Sequence, residues 1–486
     1  MDKLYLIRPE SVGRISPDLY GVFAEHIGGV IYDGIYAGPD SDVPNIRGFR
    51  KFIIDKMRAA HIPLIRWPGG CFAETYNWRD GIGPRSARPV RLSWWTAYDG
   101  RYESNQVGTD EFLDFCNLCG AEPYFAANLT SMSPMDIRDW IDYCNSPEGA
   151  TTLAQLRAAN GHPAPYNVRL WGVGNENWGG GGNMTASYYI NEYRRYATVM
   201  QNASPTAKPE LIACGANRDD YAWTRGLMDG LSAHGAPMHG MAVHYYCHCG
   251  TFGESNGHAT EFTDAEWNAL IADAMRIQDA IERHWSVVRS YGLEAKARLC
   301  IDEWGCWHAG GSGPSGDAHL FEQQSTMRDA VVTALTLNIF NNHCDKIRLA
   351  TVAQLVNNLH ALFLAHDADC ILTPAYHVFH MFRTHQGGEA FRTVCDGAVS
   401  ASASHRDGQL TVTLANLSPT DDRTLSLESV GFALGAGTVT LLAHDDLRAH
   451  NTFDCPERVR PVTFPLTGSA IELPRGAVAV VRAQIL

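Results

Sequence analysis

Trp171-Gly172-Val173-Gly174-Asn175-Glu176-Asn177-Trp178 leaves an apolar segment that begins near Asn167 and runs on into a glycine run, Gly179 to Gly182. A short apolar run bounded by glycine reads as a buried strand, so a carboxylate stands at a strand end beside an amide. Leu299-Cys300-Ile301-Asp302-Glu303-Trp304-Gly305 repeats the design. Outward from these two, at 168–174 and 298–303, further strand signals occur at 19–25, 64–67, 123–128, 211–215, 241–246 and 346–352. Amphipathic patterns separate them at 49–60, 110–119, 134–144, 187–200, 221–233, 264–290 and 318–341. Strand–helix alternation predicts a parallel sheet, and eight units predict its closure into a (β/α)8 TIM barrel over residues 17–384.

Such barrels carry their chemistry at the C-terminal ends of the strands. Glu176 follows strand four and Glu303 ends strand seven in this count; Glu25-His26, Arg66, Asn128, Asn217, His244, Tyr246 and Gln354 fall at the same end. A lone glutamate at a strand end reads as a solvated residue, and His26, Asn128 and Asn217 singly read equally well as satisfied rim residues. A pair of glutamates in matching contexts has a more specific use. In a retaining glycosidase one carboxyl protonates the leaving oxygen, and another, about 5 Å away, attacks the anomeric carbon. The acid needs a partly desolvated pocket or a neighbouring negative charge to keep its proton, while the nucleophile needs hydrogen bonds that keep it ionised. Asn175 suits a sugar hydroxyl, and Trp178 offers a flat apolar wall.

The glycine run has a rival reading as a phosphate cradle. A nucleotide fingerprint places its glycines between strand and helix with an acidic partner further on. Here a tryptophan intervenes, so the run reads as a turn before a helix starting near Thr185. The loop after strand two is long, from Arg66-Trp67-Pro68-Gly69-Gly70-Cys71 through Trp78 to Trp94-Trp95. Its prolines and glycines fix turns, and its tryptophans serve either as sugar-stacking walls or as packing onto the barrel.

From about residue 385 the texture changes to short alternating runs, at 398–405, 410–417, 424–427, 438–443 and 477–484, parted by turn residues such as Asp407-Gly408. This predicts an all-β, jelly-roll-like sandwich over residues 385–486. An N-terminal strand at 3–8, within residues 1–16, is expected to join it, because the barrel has no vacancy for a ninth strand.

Thirty-nine basic against 53 acidic residues leave a net charge of −14, with no basic cluster, which argues against nucleic acid and anionic membranes as partners. No apolar run is long enough to cross a bilayer. The N-terminal stretch lacks the apolar core of a secretory signal, and 13 cysteines without framework spacing suit a reducing compartment. The expectation is a cytoplasmic protein. Cys116 and Cys119 lack a second pair at zinc spacing, and Cys247-His248-Cys249 lacks a partner cluster, so these thiols read as buried small hydrophobes and no metal is expected.

Gly21-Val22-Phe23-Ala24-Glu25-His26, Arg66-Trp67-Pro68-Gly69-Gly70, residues 76–84, Gly172 to Glu176, His244-Tyr245-Tyr246, Asp302-Glu303-Trp304 and Ala353-Gln354-Leu355-Val356-Asn357 together resemble the α-L-arabinofuranosidases of glycoside hydrolase family 51. The resemblance covers nearly the whole chain. It implies Glu176 as acid/base and Glu303 as nucleophile, with Glu25, Asn175, Tyr246 and Gln354 on the furanose. It further implies retention of configuration, no cofactor, arabinofuranosyl oligosaccharides as substrate and a hexameric homo-oligomer. Cys71 stands where many members carry asparagine, and a thiol hydrogen-bonds weakly. The alternatives are β-xylosidase or endo-β-glucanase action by the same chemistry, or a sugar-binding protein without turnover.

Overall fold

The computed structural model describes residues 2–250, 256–316, 318–395 and 398–486. Eight parallel strands close into a barrel: Gly21–Phe23, Leu64–Trp67, Glu122–Ala127, Leu170–Val173, Glu210–Asn217, Gly240–Cys247, Leu299–Cys306 and Ile347–Ala353. The eighth strand returns to the first, Thr351 opposite Gly21 and Ala353 opposite Phe23. One interior layer is a plug of Leu64, Tyr124, Leu170, Ile212, Ala242, Cys300 and Leu349, all buried. The barrel is therefore packed shut below, and open space is left at the strand C-termini.

Helices cover the outside where the 3.6-residue pattern placed them. Asp264–Ser290 matches the sequence expectation at both ends, its start set by a capping box of Thr263 and Glu266. The helix expected over 318–341 begins only at Met327, where Thr326 and Asp329 form another capping box. Residues 318–326 are thereby released as a loop at the end of strand seven. Among the described residues, two α-helices of eight or more residues escaped the sequence reading, Thr152–Ala159 and Pro374–Phe382. The second is apolar almost throughout and buried at seven positions, so it lacks the polar face that periodicity detects.

Nine further strands form a second sheet with its own apolar cluster, separate from the barrel core. Strand Asp2–Arg14 lies inside it, antiparallel to Glu389–Cys395 and parallel to Arg423–Val430. The sheet has two buried faces. Leu410, Val412 and Leu414 enter its own cluster, while Thr413 points to the barrel helix Met327–Asn342 and donates to Asn338 Oδ1 at 2.6 Å. Asn341 and Asn342 of that helix donate to Ser402 Oγ and the Ala401 carbonyl at 3.1 and 2.9 Å. Caught between barrel and sheet, the helix is buried from Met327 to Asn341 and satisfies its polar groups across the seam. No helix among the described residues is long and apolar enough to cross a membrane.

Candidate active site

Strand seven aims two adjacent carboxylates into the barrel. A regular strand sends neighbours to opposite faces, yet Asp302 and Glu303 both point inward. The pairing shifts register between Cys300 and Glu303 on one side and between Ile301 and Trp304 on the other. Such an irregularity re-aims a side chain beside a functional site. Asp302 goes down, accepting a hydrogen bond from Tyr124 Oη at 2.6 Å. Glu303 goes up into the pocket. Trp304 faces outward and stacks on Phe379 at 6.1 Å between ring centres.

Glu303 is held by three neighbours. Arg66 Nη1 donates to Oε1 at 2.8 Å, Tyr246 Oη donates to Oε2 at 2.7 Å, and His244 Nδ1 lies 3.6 Å from Oε2. Burial pushes the carboxyl up, but His244, Arg66 and Tyr246 outweigh it and leave Glu303 below its ordinary value. Arg66 also donates to Asn175 Oδ1 at 2.6 Å, and its guanidinium lies over the Phe23 ring at 4.6 Å. Asn175 Nδ2 is left buried without a protein partner. An orphaned amide N–H is costly, and a sugar hydroxyl would satisfy it.

Glu176 follows strand four in the left-handed region, φ 44°. Its Oε1 lies 2.9 Å from His244 Nδ1, and the Cys71 thiol is 3.9 Å from Oε2. Burial works against charge on His244, but Glu303 and Glu176 raise its pKa overall. Carboxylate oxygens of Glu176 and Glu303 lie within 4.8 Å of each other and of His244 Nδ1. These three donors are close enough to hold a cation, though Arg66 already brings positive charge against Glu303.

Glu25 completes the floor. It accepts from the Phe72 amide and from Trp95 Nε1, each at 3.0 Å, and its own amide donates to Gln354 Oε1 at 2.9 Å. Burial and the nearby Glu303 push its pKa up to about 7. Gly70 shows why the loop needs glycine there: an added Cβ would lie 2.9 Å from Glu303 Oε1 and 3.3 Å from Glu25 Oε2. Burial and the surrounding carboxylates, Glu176 foremost, push the Cys71 thiol far up, so it stays protonated.

Glu25, Cys71, Glu176, Tyr246, Glu303 and Gln354 thus meet in one pocket, with Trp95, Trp307 and Phe321 as aromatic walls. Trp178 lies outside that lining; its indole N–H donates to the Gly215 carbonyl at 3.1 Å. Trp78 is buried and stacks parallel to Trp140. His26 is buried against Glu103 at 2.7 Å, and Asn128 donates to the Tyr76 carbonyl at 3.0 Å. Asn217 is exposed.

Sequence reasoning missed Glu74. It is fully buried, and Oε1 accepts from the Asn175 amide at 2.6 Å and from Asn177 Nδ2 at 3.0 Å. Oε2 accepts from the amides of Leu129 and Thr130 at 3.0 and 2.7 Å. One carboxylate therefore pins the loops after strands two, three and four. The only signal was a glutamate inside a short apolar stretch, Cys71-Phe72-Ala73-Glu74.

Known proteins resemble this chain along its length. Residues 56–259 match the family model for an α-L-arabinofuranosidase 1 domain, and residues 302–475 that for an α-L-arabinofuranosidase C-terminal domain. The intracellular exo-α-L-arabinofuranosidase of Bacteroides ovatus is 35% identical over 93% of this chain and 88% of its own. The crystal structure of the GH51 arabinofuranosidase from Xanthomonas axonopodis pv. citri superposes with a TM-score of 0.93 at 34% identity, covering 100% of both chains. That of the α-L-arabinofuranosidase from Thermotoga maritima, an arabinose complex, gives 0.83 at 27% identity, again over 100% of both. With two glutamates at the ends of strands four and seven of a closed barrel, this chain belongs to the α-L-arabinofuranosidases of glycoside hydrolase family 51.

Proposed function

We propose that the protein is a retaining exo-glycosidase that releases terminal non-reducing α-L-arabinofuranosyl residues from arabinose-containing oligosaccharides. The observation that carries the reading is the pair Glu176 and Glu303, with oxygens within 4.8 Å at the rim of one pocket. Carboxyl groups about 5–5.5 Å apart suit double displacement, whereas inversion needs about 6.5–9.5 Å to seat a water. Ionised Glu303 attacks the anomeric carbon as the bond to the leaving oxygen breaks, and Glu176 gives that oxygen its proton. In the second half Glu176 takes a proton from water, the water oxygen attacks the same carbon, and the ester to Glu303 breaks. Each carboxylate ends as it began.

The remaining roles follow from position. Glu25, Asn175, His244, Tyr246 and Gln354 contact the sugar or the two glutamates, with Cys71 at the edge. Trp178 supports the loop from behind. We take residues 17–384 as the catalytic unit and 385–486, with the strand from 1–16, as its companion. The B. ovatus relative is named intracellular, and we place this chain in the cytoplasm, as a homo-oligomer, hexameric by family resemblance. A monomer mass in light scattering would overturn the assembly.

The deciding experiment is a set of initial rates on 4-nitrophenyl α-L-arabinofuranoside, β-D-xyloside and β-D-glucoside, with the anomer of the first product read by NMR. Turnover of the arabinofuranoside with net retention supports the reading. Activity on the xyloside or on a β-glucan alone replaces the substrate and keeps the mechanism. Binding without turnover of any of them defeats the enzyme assignment.

A further inference from the structure

Behind the aromatic wall lies a cluster that the hydrolytic chemistry does not use. Asp33 comes from the loop after strand one, His319 from the loop after strand seven, and His366 from a hairpin strand, Phe363–His366, after strand eight. Asp33 Oδ2 lies 3.1 Å from His319 Nε2 and 3.1 Å from His366 Nδ1. The three donor atoms are all within 4.8 Å of one another. Zinc–ligand distances of about 2.0–2.2 Å give tetrahedral edges of about 3.3 Å, so the two spacings from Asp33 suit one shared ion.

The surroundings orient each donor. Asp33 Oδ1 accepts from Arg50 Nη2 at 3.3 Å and from the Asp367 amide at 3.1 Å, which leaves Oδ2 to the imidazoles. His319 Nδ1 faces Glu322 Oε1 at 3.3 Å, and Glu322 in turn accepts from Ser315 Oγ. A carboxylate on the far nitrogen is the arrangement that fixes a metal-bound histidine. Gly29 makes room for the ring, since a Cβ there would lie 2.3 Å from His319 Cδ2. His319 is buried, while the side chains of Asp33 and His366 are 33% and 34% exposed. That exposure leaves an entry path and an open position for water.

We propose that Asp33, His319 and His366 bind one divalent first-row transition ion of the zinc class, which ties the loops after strands one, seven and eight together. Two imidazoles and a carboxylate are a donor set that suits such an ion over calcium or magnesium. The ion's place in the reaction is structural. Its loop continues from His319 into Leu320 and Phe321, whose carbonyls accept from Asn358 Nδ2 and the Leu359 amide at 2.9 and 3.0 Å. Phe321 meets Trp95 and Trp307 edge to face in the pocket wall. Holding His319 therefore holds the wall from behind.

The competitor for the site is a proton. Both nitrogens of His319 face carboxylates, which without an ion calls for an imidazolium. A cation on Nε2 displaces that proton and leaves Nδ1–H for Glu322, so uptake must release a proton.

The test uses the full chain, stripped by chelator, dialysed and titrated calorimetrically with zinc chloride in two buffers of different ionisation enthalpy, beside His366→Ala and Asp33→Asn. The expected result is one ion per chain with proton release, a higher melting temperature, a lower KM on the arabinofuranoside with kcat little changed, and roughly tenfold or greater loss of affinity in each variant. His366→Ala is at a part-exposed position, and its melting temperature in chelator is expected to equal that of the wild type. Zinc uptake that survives unchanged in both variants overturns the site, as does uptake accompanied by competitive inhibition, which places the ion on Glu176, His244 and Glu303. No uptake by the wild type at about 100 μM leaves the cluster as an ion pair and also overturns it.

Discussion

The ends of strands four and seven carry nearly the same local sequence, a glutamate beside an amide or acid with tryptophan following, yet the fold treats the two glutamates differently. Glu303 stays within its strand, is re-aimed by a register shift, and is held by Arg66 and Tyr246. Glu176 lies just beyond its strand in a left-handed conformation, with His244 on one oxygen and a distant thiol near the other. Its side chain is 19% exposed against 7% for Glu303. The difference teaches that environment divides the labour between two chemically identical groups. On the proposed mechanism, the cationic and hydroxyl donors on Glu303 preserve an anion for attack. On the same mechanism Glu176, the more exposed of the two, handles the proton.

The sharpest way to break the comparison is to remove one charge at a time. Glu303→Gln keeps the shape but removes the proposed nucleophile, and kcat/KM for 4-nitrophenyl α-L-arabinofuranoside should fall by about 10^4–10^6-fold. A loss smaller than about 100-fold would mean that another group attacks. Glu176→Ala should lower kcat by about 10^2–10^4-fold on substrates with poor leaving groups. Added azide should restore turnover there and leave Glu303→Gln silent; rescue of both variants, or of neither, would erase the asymmetry.

Smaller changes sharpen it. Tyr246→Phe deletes one donor to a charged acceptor, worth about 1.5–3 kcal/mol, so kcat/KM should drop by about 10–100-fold. The lost bond favoured the ionised form, so the acid limb of the pH–rate profile should move to higher pH. An unmoved limb would show that Arg66 and His244 suffice. Glu25→Gln tests the floor of the pocket through stability. Glu25 is raised from 4.5 to about 7 in the folded protein. The folded state therefore binds the extra proton, and the stability this supplies is present below pH 4.5 and is lost as pH rises through about 7. Relative to wild type the variant should gain about 1–3 kcal/mol between pH 5 and 8, read from paired denaturant melts. A difference independent of pH would show that Glu25 is not titrating there.

Much of this was legible in the sequence. Leu64–Trp67 and Asp264–Ser290 lie where their patterns put them, because a fully buried strand and a capped amphipathic helix are both local signals. The pocket residues Glu25, Cys71, Glu176, Tyr246, Glu303 and Gln354 were all within reach, since each falls at or just past a strand end. The tryptophans were less tractable. Trp78, Trp94 and Trp95 share one loop, and only the fold distinguishes Trp95, bonded to Glu25, from Trp78, stacked on Trp140.

The sequence by itself determined the barrel, the change to a β domain and the two glutamates, because periodicity and strand-end position need only neighbours in the chain. Tertiary structure alone decided that Asp302 and Glu303 both face inward, since a register shift exists only between paired strands. It alone set Glu74 beneath three loops and joined Asp33, His319 and His366 from the loops after strands one, seven and eight. The physical reason is the same in each case. A buried polar group is specified by the partners that satisfy it, and here those partners are dozens to hundreds of residues away along the chain.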